Sequence, residues 1–395
     1  MGGGSLRAVR RRARLAGVAA LAAVAVAAAG CGSSGSTSSP TTASGAATTV
    51  PSPSGTTAPS SGTTAAPGGS TAGKFLACMV TDTGGIDDRS FNASAYQGLT
   101  EAAAADSDIT PTYLQSNSSS DYVPNIQAFI NRKCGIIVTV GFLMATATQN
   151  AAKANPDVHF AIVDNEYTPA LKNVLALTYE TDQDAFLGGY LAAAMSTSKV
   201  VGTFGGLNIP TVTIYENGFV AGVRYYDQTK HADVKVLGWN PNTQKGVFAG
   251  SFTDQSAGKA DTQTLINNGA DVIFPVAGSV GLGSAQAVQQ AGSGHYMEWV
   301  DTDGCVSAPQ FCSLFLTSVT KGIATSVKDA VVNAAHGSTP GGNYVGTLAN
   351  GGVALSPFHD YSSKIPASVQ AELKTLTAGI ESGKISVDPT KYPAS

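Results

Sequence analysis

The sequence predicts an α/β fold in two lobes. Short apolar runs that stop at Gly, Asp or Asn recur along the chain, as at Phe75–Val80 and Gly135–Val140, and each has the length of a buried strand. Helical stretches separate them, and a steady alternation of strand and helix builds parallel βαβ units with right-handed crossovers. The alternation begins afresh near Asp184, and two rounds of it make paired lobes rather than one large sheet.

The first 73 residues stand outside that pattern. Arg7, Arg10, Arg11, Arg12 and Arg14 precede an apolar run, Ala16 to Ala29, that ends at Gly30-Cys31. A basic segment, a short apolar run and small residues before a cut site form an export signal, here residues 1–30. The run is too short to span a bilayer. Cys31, directly after Ala28-Ala29-Gly30, resembles a bacterial lipobox, with Ala28 where leucine is usual. In such a box the thiol is lipidated and becomes the new amino terminus. The alternative is ordinary secretory cleavage beside an incidental cysteine, and Arg10 to Arg12 leave the general and twin-arginine export routes both open. Residues 31–73 are read as the lipidated cysteine and a disordered tether, because beyond Cys31 they are almost entirely Ser, Thr, Gly, Ala and Pro. Such a composition lacks the large apolar side chains that offset ordering entropy, and it supplies reach without fixed orientation.

About 320 residues remain, enough for two α/β lobes. The charged fraction is 13% and the net charge -4, neither basic nor acidic enough to point to nucleic acid or an anionic surface. No run beyond the tether is long and apolar enough for a membrane span. Besides Cys31 the chain has Cys78, Cys134, Cys305 and Cys312, an even set that permits two disulfides in an exported protein. Cys305 and Cys312 are close enough in sequence to staple a loop, and Cys78 and Cys134 stand in or beside strands that could be neighbours. Four zinc ligands are the alternative, with no C-x2-C spacing to support it.

Element by element, Thr81-Asp82-Thr83 and Gly84-Gly85 end the first strand and turn the chain. Asp87 or Asp88 is placed to cap the next helix, since a side-chain oxygen there satisfies amides left bare in the first turn. After a Ser/Asn-rich loop, Ser116 to Asp121, come a helix at Tyr122–Asn131, a strand ending at Gly141-Phe142, and a helix at Ala145–Ala154. His159–Val163 is a strand that delivers Asp164, and Val174–Tyr179 another. The second round reads as helix at Ala185–Met195, strand at Val200–Phe204, helix at Ile214–Tyr226 and strand at Val234–Leu237. It continues with helix at Ala257–Asn268, strand at Asp271–Pro275, helix at Ser284–Ala291 and strand at Tyr296–Val300. Leu314–Val319 is extended and Gly322–Ala335 helical.

In open α/β sheets ligands sit outside the carboxyl ends of the strands. The first turn presents Asp82, Phe91 and Asn92 there; the plainer reading is a capped turn with Phe91 tucked into the core. Asp82, Asp164 and Asp301 each follow a predicted strand. Three turn caps would account for them, but facing lobes would bring the carboxylates into one cleft, where each can accept two hydrogen bonds from a vicinal diol or an amine edge. Gly278 to Gly283 follow a strand and open a helix, yet they lack the Walker lysine-serine pair, and their spacing is G-x-x-G-x-G rather than G-x-G-x-x-G. A loop whose bare backbone admits a neutral ligand is favoured over a phosphate cradle. No catalytic residue, metal ligand or cofactor motif is assigned. There is no G-x-S-x-G elbow, the five histidines share no metal-ligand spacing, and Ser251 has no evident partner base. A paired-carboxylate hydrolase stays open as an alternative.

The motifs together resemble one family. V-T-D-T-G-G-I-D-D-R-S-F-N (Val80 to Asn92), F-A-I-V-D (Phe160 to Asp164), F-L-G-G-Y-L-A-A (Phe186 to Ala193) and N-G-F-V-A-G-V-R (Asn217 to Arg224) are followed in order by A-G-S-F-T-D (Ala249 to Asp254). Gly258-Lys259, G-A-D-V-I-F-P-V-A-G (Gly269 to Gly278), V-D-T-D (Val300 to Asp303), L-T-S-V-T-K (Leu316 to Lys321) and G-G-V-A-L (Gly351 to Leu355) complete the set. This series is similar to the basic membrane protein family of lipoproteins, ABC-transporter substrate-binding proteins that include the purine nucleoside receptors. Y-M-E-W-V-D (Tyr296 to Asp301) and Gly304-Cys305 depart from its usual pattern.

The resemblance implies a type I periplasmic-binding-protein fold, with two Rossmann-like lobes joined by a three-strand hinge. On that plan 74–182 and about 304–335 form the N-terminal lobe, and 183–303 and about 345–395 the C-terminal lobe. It also implies a base held between two rings, Phe91 and Phe252, with Phe248 the competitor for the second. Asn92 and Asp164 fall at the polar edge of the base, Asp82, Asp301 and Lys321 near the sugar hydroxyls, and Gly278 supplies close backbone. The partners implied are a purine nucleoside, an ABC permease and, through Cys31, the outer face of a bacterial cell membrane, for a monomer that binds no nucleic acid. A receptor for a sugar or other small polar metabolite, a secreted nucleoside hydrolase, and a signalling lipoprotein with a vestigial cleft are the rivals.

Overall fold

The computed structural model describes residues 74–393 apart from Pro340; the export signal, Cys31 and the tether lie outside the described residues. The chain opens with β1 (Phe75–Val80), α1 (Phe91–Ala105), β2 (Ile109–Leu114), α2 (Tyr122–Asn131), β3 (Ile136–Val140), α3 (Ala145–Ala154), β4 (Phe160–Val163) and β5 (Val174–Tyr179). These strands pair in parallel in the order β2-β1-β3-β4-β5. The second round is α4 (Thr181–Met195), β6 (Val200–Gly205), α5 (Pro210–Lys230) and β7 (Lys235–Leu237), then a small ribbon of β8 (Trp239–Asn240) and β9 (Lys245–Gly246). It goes on through α6 (Gln255–Asn267), β10 (Val272–Val276), α7 (Val280–Ala291), β11 (Tyr296–Asp301), the short α8 (Gly304–Ser307) and β12 (Phe315–Lys321). Its sheet runs β7-β6-β10-β11-β12, also parallel.

The remaining chain divides between the two lobes. Helix α9 (Ile323–Ala335) lies on α1, and β13 (Gly342–Gly346) adds to β5. Strand β14 (Val353–Leu355) then pairs antiparallel with β12, and α10 (Ala367–Glu381) lies on α4. The chain therefore crosses between lobes three times, after Tyr179, after Lys321 and after Gly346. The lobe boundary differs here from the sequence reading, which gave 304–335 to the first lobe. Residues 304–321 stand with the second, because a right-handed crossover from β11 sets the next strand beside it in the same sheet; only α9 and β13 return to the first.

The central strands are apolar throughout because both faces are covered. On β1, Ala77 and Met79 enter the core under α1 and α9, while Cys78 and Val80 enter the core beneath α2 and α3. Cys78 is bonded to Cys134, and Cys305 to Cys312. In the second lobe α4 and α5 touch backbone to backbone: a Cβ on Gly189 would stand 2.0 Å from the Phe219 carbonyl. The F-L-G-G-Y-L-A-A and N-G-F-V-A-G-V-R motifs thus serve this helix contact. Strand β2 escaped the sequence reading. Its Pro111 weakens the strand pattern, and it is tolerated because β2 is an edge strand. No helix among the described residues is long and apolar enough to cross a membrane.

Candidate functional site

Both sheets reverse their strand order at an interior pair, β1 with β3 and β6 with β10, and a crevice opens at the carboxyl ends there. The two crevices face one another across a single cavity. Asp82, Phe91, Asn92 and Asp164 line it from the first lobe, and Phe252, Gly278, Asp301 and Lys321 from the second. All eight residues singled out in the sequence are on its wall.

Asp88 organises the first wall. Its carboxylate accepts from the backbone amides of Ser90 (3.0 Å), Asn92 (2.7 Å) and Ala93 (3.0 Å), so it, and not Asp87, caps α1. Burial nevertheless pushes Asp88 up to about 7 against those bonds. The Asn92 amide donates to Asp82 Oδ1 over 2.8 Å and to Asp88 Oδ2 over 3.1 Å. Its own oxygen is buried and has no partner among the described residues. Burial raises Asp82, while Asn92 and the Gly84 amide hold it down.

Asp164 and Asp301 face each other from the two lobes in the same unusual backbone state, each with φ of 66°. Few side chains other than those of Asp and Asn tolerate that left-handed region. Between them lies Lys321, whose Nζ is 2.7 Å from Asp164 Oδ2 and 3.7 Å from Asp301 Oδ1. The ammonium also stands 4.9 Å from the centre of the Phe91 ring and 5.3 Å from that of Tyr215. Burial works to lower Lys321, but Asp164 and Asp301 hold it above its ordinary value, and it is charged. Burial likewise raises Asp164 and the ammonium opposes it. With four carboxylic acids and one lysine on the wall, the cavity offers acceptors to donors and no cradle for a phosphate.

Phe252 is held by Ser279, whose hydroxyl donates to its carbonyl over 2.8 Å. Phe248 is elsewhere: it bridges to Gly205, and its ring stands edge-on to Trp239 at 5.9 Å. Of the glycine-rich stretch only Gly278 reaches the cavity, with φ of 56°. Gly281 and Gly283 lie inside α7, where a Cβ on Gly283 would fall 1.8 Å from the Gln255 carbonyl. Gly283 lets α6 and α7 approach and Gly281 lies against the Trp299 ring of β11, which corrects the expectation that the whole stretch is a ligand loop.

The lobes are drawn together over the cavity. Ser90 Oγ reaches Val300 O at 3.0 Å and Asp301 Oδ2 at 2.8 Å, and Thr302 Oγ1 donates to Arg89 O over 3.1 Å. The cavity so closed has a volume of only about 60 Å³. Entry of a larger molecule requires these bonds to open. Sequence reasoning missed Tyr215, whose hydroxyl donates to Asp301 Oδ1 over 3.0 Å. It also missed Phe142 and Thr211 on the wall. The available signal was Pro210, a helix-start residue that places the first turns of α5 at the cleft.

Residues 75–386 match the family model for PnrA-like ABC transporter substrate-binding proteins. The chain is 32% identical over 337 residues to the ABC transporter nucleoside-binding protein BmpA of Lactococcus lactis subsp. cremoris, covering 80% of this chain and 89% of that one. It is 31% identical over 330 residues to the CD4+ T-cell-stimulating antigen of Listeria monocytogenes, covering 79% and 88%. Among solved structures, an ABC transporter solute-binding protein from Aeropyrum pernix K1 superposes with a TM-score of 0.72 at 23% identity, over 79% of this chain and 92% of that one. That likeness bears on the fold. A family match running from the first strand past the last helix places the chain in the PnrA-like family of ABC transporter substrate-binding proteins, which work outside the cytoplasm with a small-molecule ligand and a permease.

Proposed function

We propose that the protein captures a neutral nucleoside of the purine type between its lobes and delivers it to the permease, with no bond made or broken. The observation that carries this reading is that Phe91 and Phe252 line the same cavity from opposite lobes. Two phenyl rings suit the faces of a base, and stacking contributes about 1–3 kcal/mol per base. The unpartnered Asn92 oxygen suits an amine or ring N–H at the base edge, and Asp82 and Asp301 suit ribose hydroxyls. The acidic wall disfavours phosphates, hence nucleosides rather than nucleotides. Closure would follow from contacts that the ligand makes with both lobes at once, which favour the closed state. The name of the Lactococcus relative, a nucleoside-binding protein, agrees with this reading.

Cys31 is proposed as the lipidated residue that holds the protein, a monomer, at the outer face of the membrane. Calorimetric titration with inosine, guanosine and adenosine, beside native mass spectrometry of the protein as purified, tests the ligand. Absence of binding to all three, with a sugar carried through purification instead, would replace this reading by a sugar receptor. Release of free base would make the protein a hydrolase.

A further inference from the structure

Three of the contacts that draw the lobes together converge on Arg89, the residue before Ser90. Its carbonyl accepts from Thr302 Oγ1 over 3.1 Å and from Trp299 Nε1 over 3.4 Å, and its guanidinium donates to Ser307 O over 3.4 Å. Thr302 Oγ1 also stands 3.1 Å from Ser307 Oγ. The short α8 is therefore the lip of the second lobe that receives the first. With four residues it cannot keep a helical shape on its own, and its two ends are held differently. At the start, Gly304 packs against Trp299 and Phe315 and donates to Ser318 Oγ over 2.9 Å. Beyond it Val306 is exposed and Ser307 partly so, and the Cys305–Cys312 bond ties this turn to the following one, Pro309–Leu314.

The two disulfides differ in what they constrain. Cys78 and Cys134 are buried and 56 residues apart, whereas Cys305 and Cys312 are partly exposed and 7 apart. Closing a short loop removes little freedom from the unfolded chain, so what the second bond chiefly fixes is the lip. Exposed disulfides are also the ones open to thiol exchange. Gly304-Cys305 is a place where the chain departs from the usual pattern of its family, so this tie belongs to the chain itself.

We infer that the Cys305–Cys312 disulfide is a redox control on how long the closed cleft keeps its ligand: intact, it holds α8 in the shape that receives Arg89, and reduced, it lets that lip loosen. A dithiol supplies two electrons and two protons, becomes a disulfide itself, and leaves thiols at Cys305 and Cys312; an oxidant that takes up the same electrons restores the bond. The inference goes beyond the nucleoside reading and holds for any ligand that the lobes enclose.

The test uses the mature protein carrying Trp239→Phe, so that Trp299, the other of its two tryptophans, reports on the junction that it shares with Arg89. Bound inosine is chased off in a stopped-flow instrument before and after treatment with dithiothreitol. Alkylation and mass mapping check that Cys305 and Cys312 are free and that Cys78–Cys134 is intact. Reduction should speed dissociation by at least about fivefold and change association far less, because the lip is engaged only once the lobes have closed. Reoxidation should restore the slow rate. The double variant Cys305→Ser, Cys312→Ser should dissociate as fast as the reduced protein and ignore dithiothreitol. Equal dissociation from the oxidised and reduced forms, or a double variant that still responds to dithiothreitol, overturns the inference. If inosine does not bind, the nucleoside reading fails, and hydrogen exchange of the ligand-free protein decides the redox control: reduction should speed exchange at Val306–Ala308 and, across the cleft, at Ser90–Ala93. No change, or a change at Val306–Ala308 alone, confines the bond to its own lobe and overturns the inference.

Discussion

Ser90 and Asp301 meet across the cleft: the hydroxyl at the start of α1 donates to the carboxylate at the end of β11 over 2.8 Å. One residue of each lobe is thereby joined directly above the cavity, and Asp301 is at the same time held by Tyr215. A bond to a charged acceptor is worth about 1.5–3 kcal/mol. Ser90→Ala should therefore weaken ligand binding by about tenfold or more, mainly through faster dissociation, as followed by stopped-flow fluorescence. An unchanged dissociation rate would mean that this contact plays no part in closure.

Phe91→Ala and Phe252→Ala should each weaken nucleoside binding by more than about tenfold, from the loss of one stacking face. Phe248→Ala should leave affinity near wild type, since its ring stands against Trp239 outside the cavity. Calorimetry on the three variants separates them. Full affinity in Phe91→Ala would count heavily against the site.

Lys321→Met would leave Asp164 and Asp301 buried without their cation. Removing one partner of a buried ion pair costs about 3–5 kcal/mol, and urea unfolding should show a loss of that order. Adding Asp164→Asn should restore part of the stability. If the double variant is no better than the single, the pair is not what holds this part of the hinge together.

Glu216 on α5 and Glu298 on β11 are buried with no hydrogen-bond partner among the described residues. Burial pushes Glu216 up to about 9 and Glu298 up to about 8, from an ordinary 4.5. Between those values the folded protein holds protons that the unfolded chain has released, so stability falls as pH rises. The contribution is whole below pH 4.5 and gone once pH passes about 8 to 9. Unfolding measured at pH 5, 7 and 9 should show a shallower decline for Glu298→Gln than for wild type. Parallel declines would show that Glu298 already ionises in the folded state.

Much of this molecule is determined by local sequence. Apolar runs such as Phe75–Val80 cannot be exposed, and the Asp and Gly residues that end them leave the chain few ways to turn, so strands, helices and the carboxylates at strand ends are legible one stretch at a time. The glycines of α7 misled for the same reason: a missing side chain looks alike in sequence whether it admits a ligand or a packed neighbour, and only the approach of α6 to Gly283 and of Trp299 to Gly281 decides. Tertiary structure alone decided that β12 joins the second sheet while α9 returns to the first, because strand partnership is a contact between distant segments. It also decided which groups meet. Nothing near Lys321 in the chain announces that Asp164, 157 residues away, will be its counter-ion, or that Ser90 and Tyr215 will share Asp301, since electrostatic and hydrogen-bond partners are chosen by distance in space.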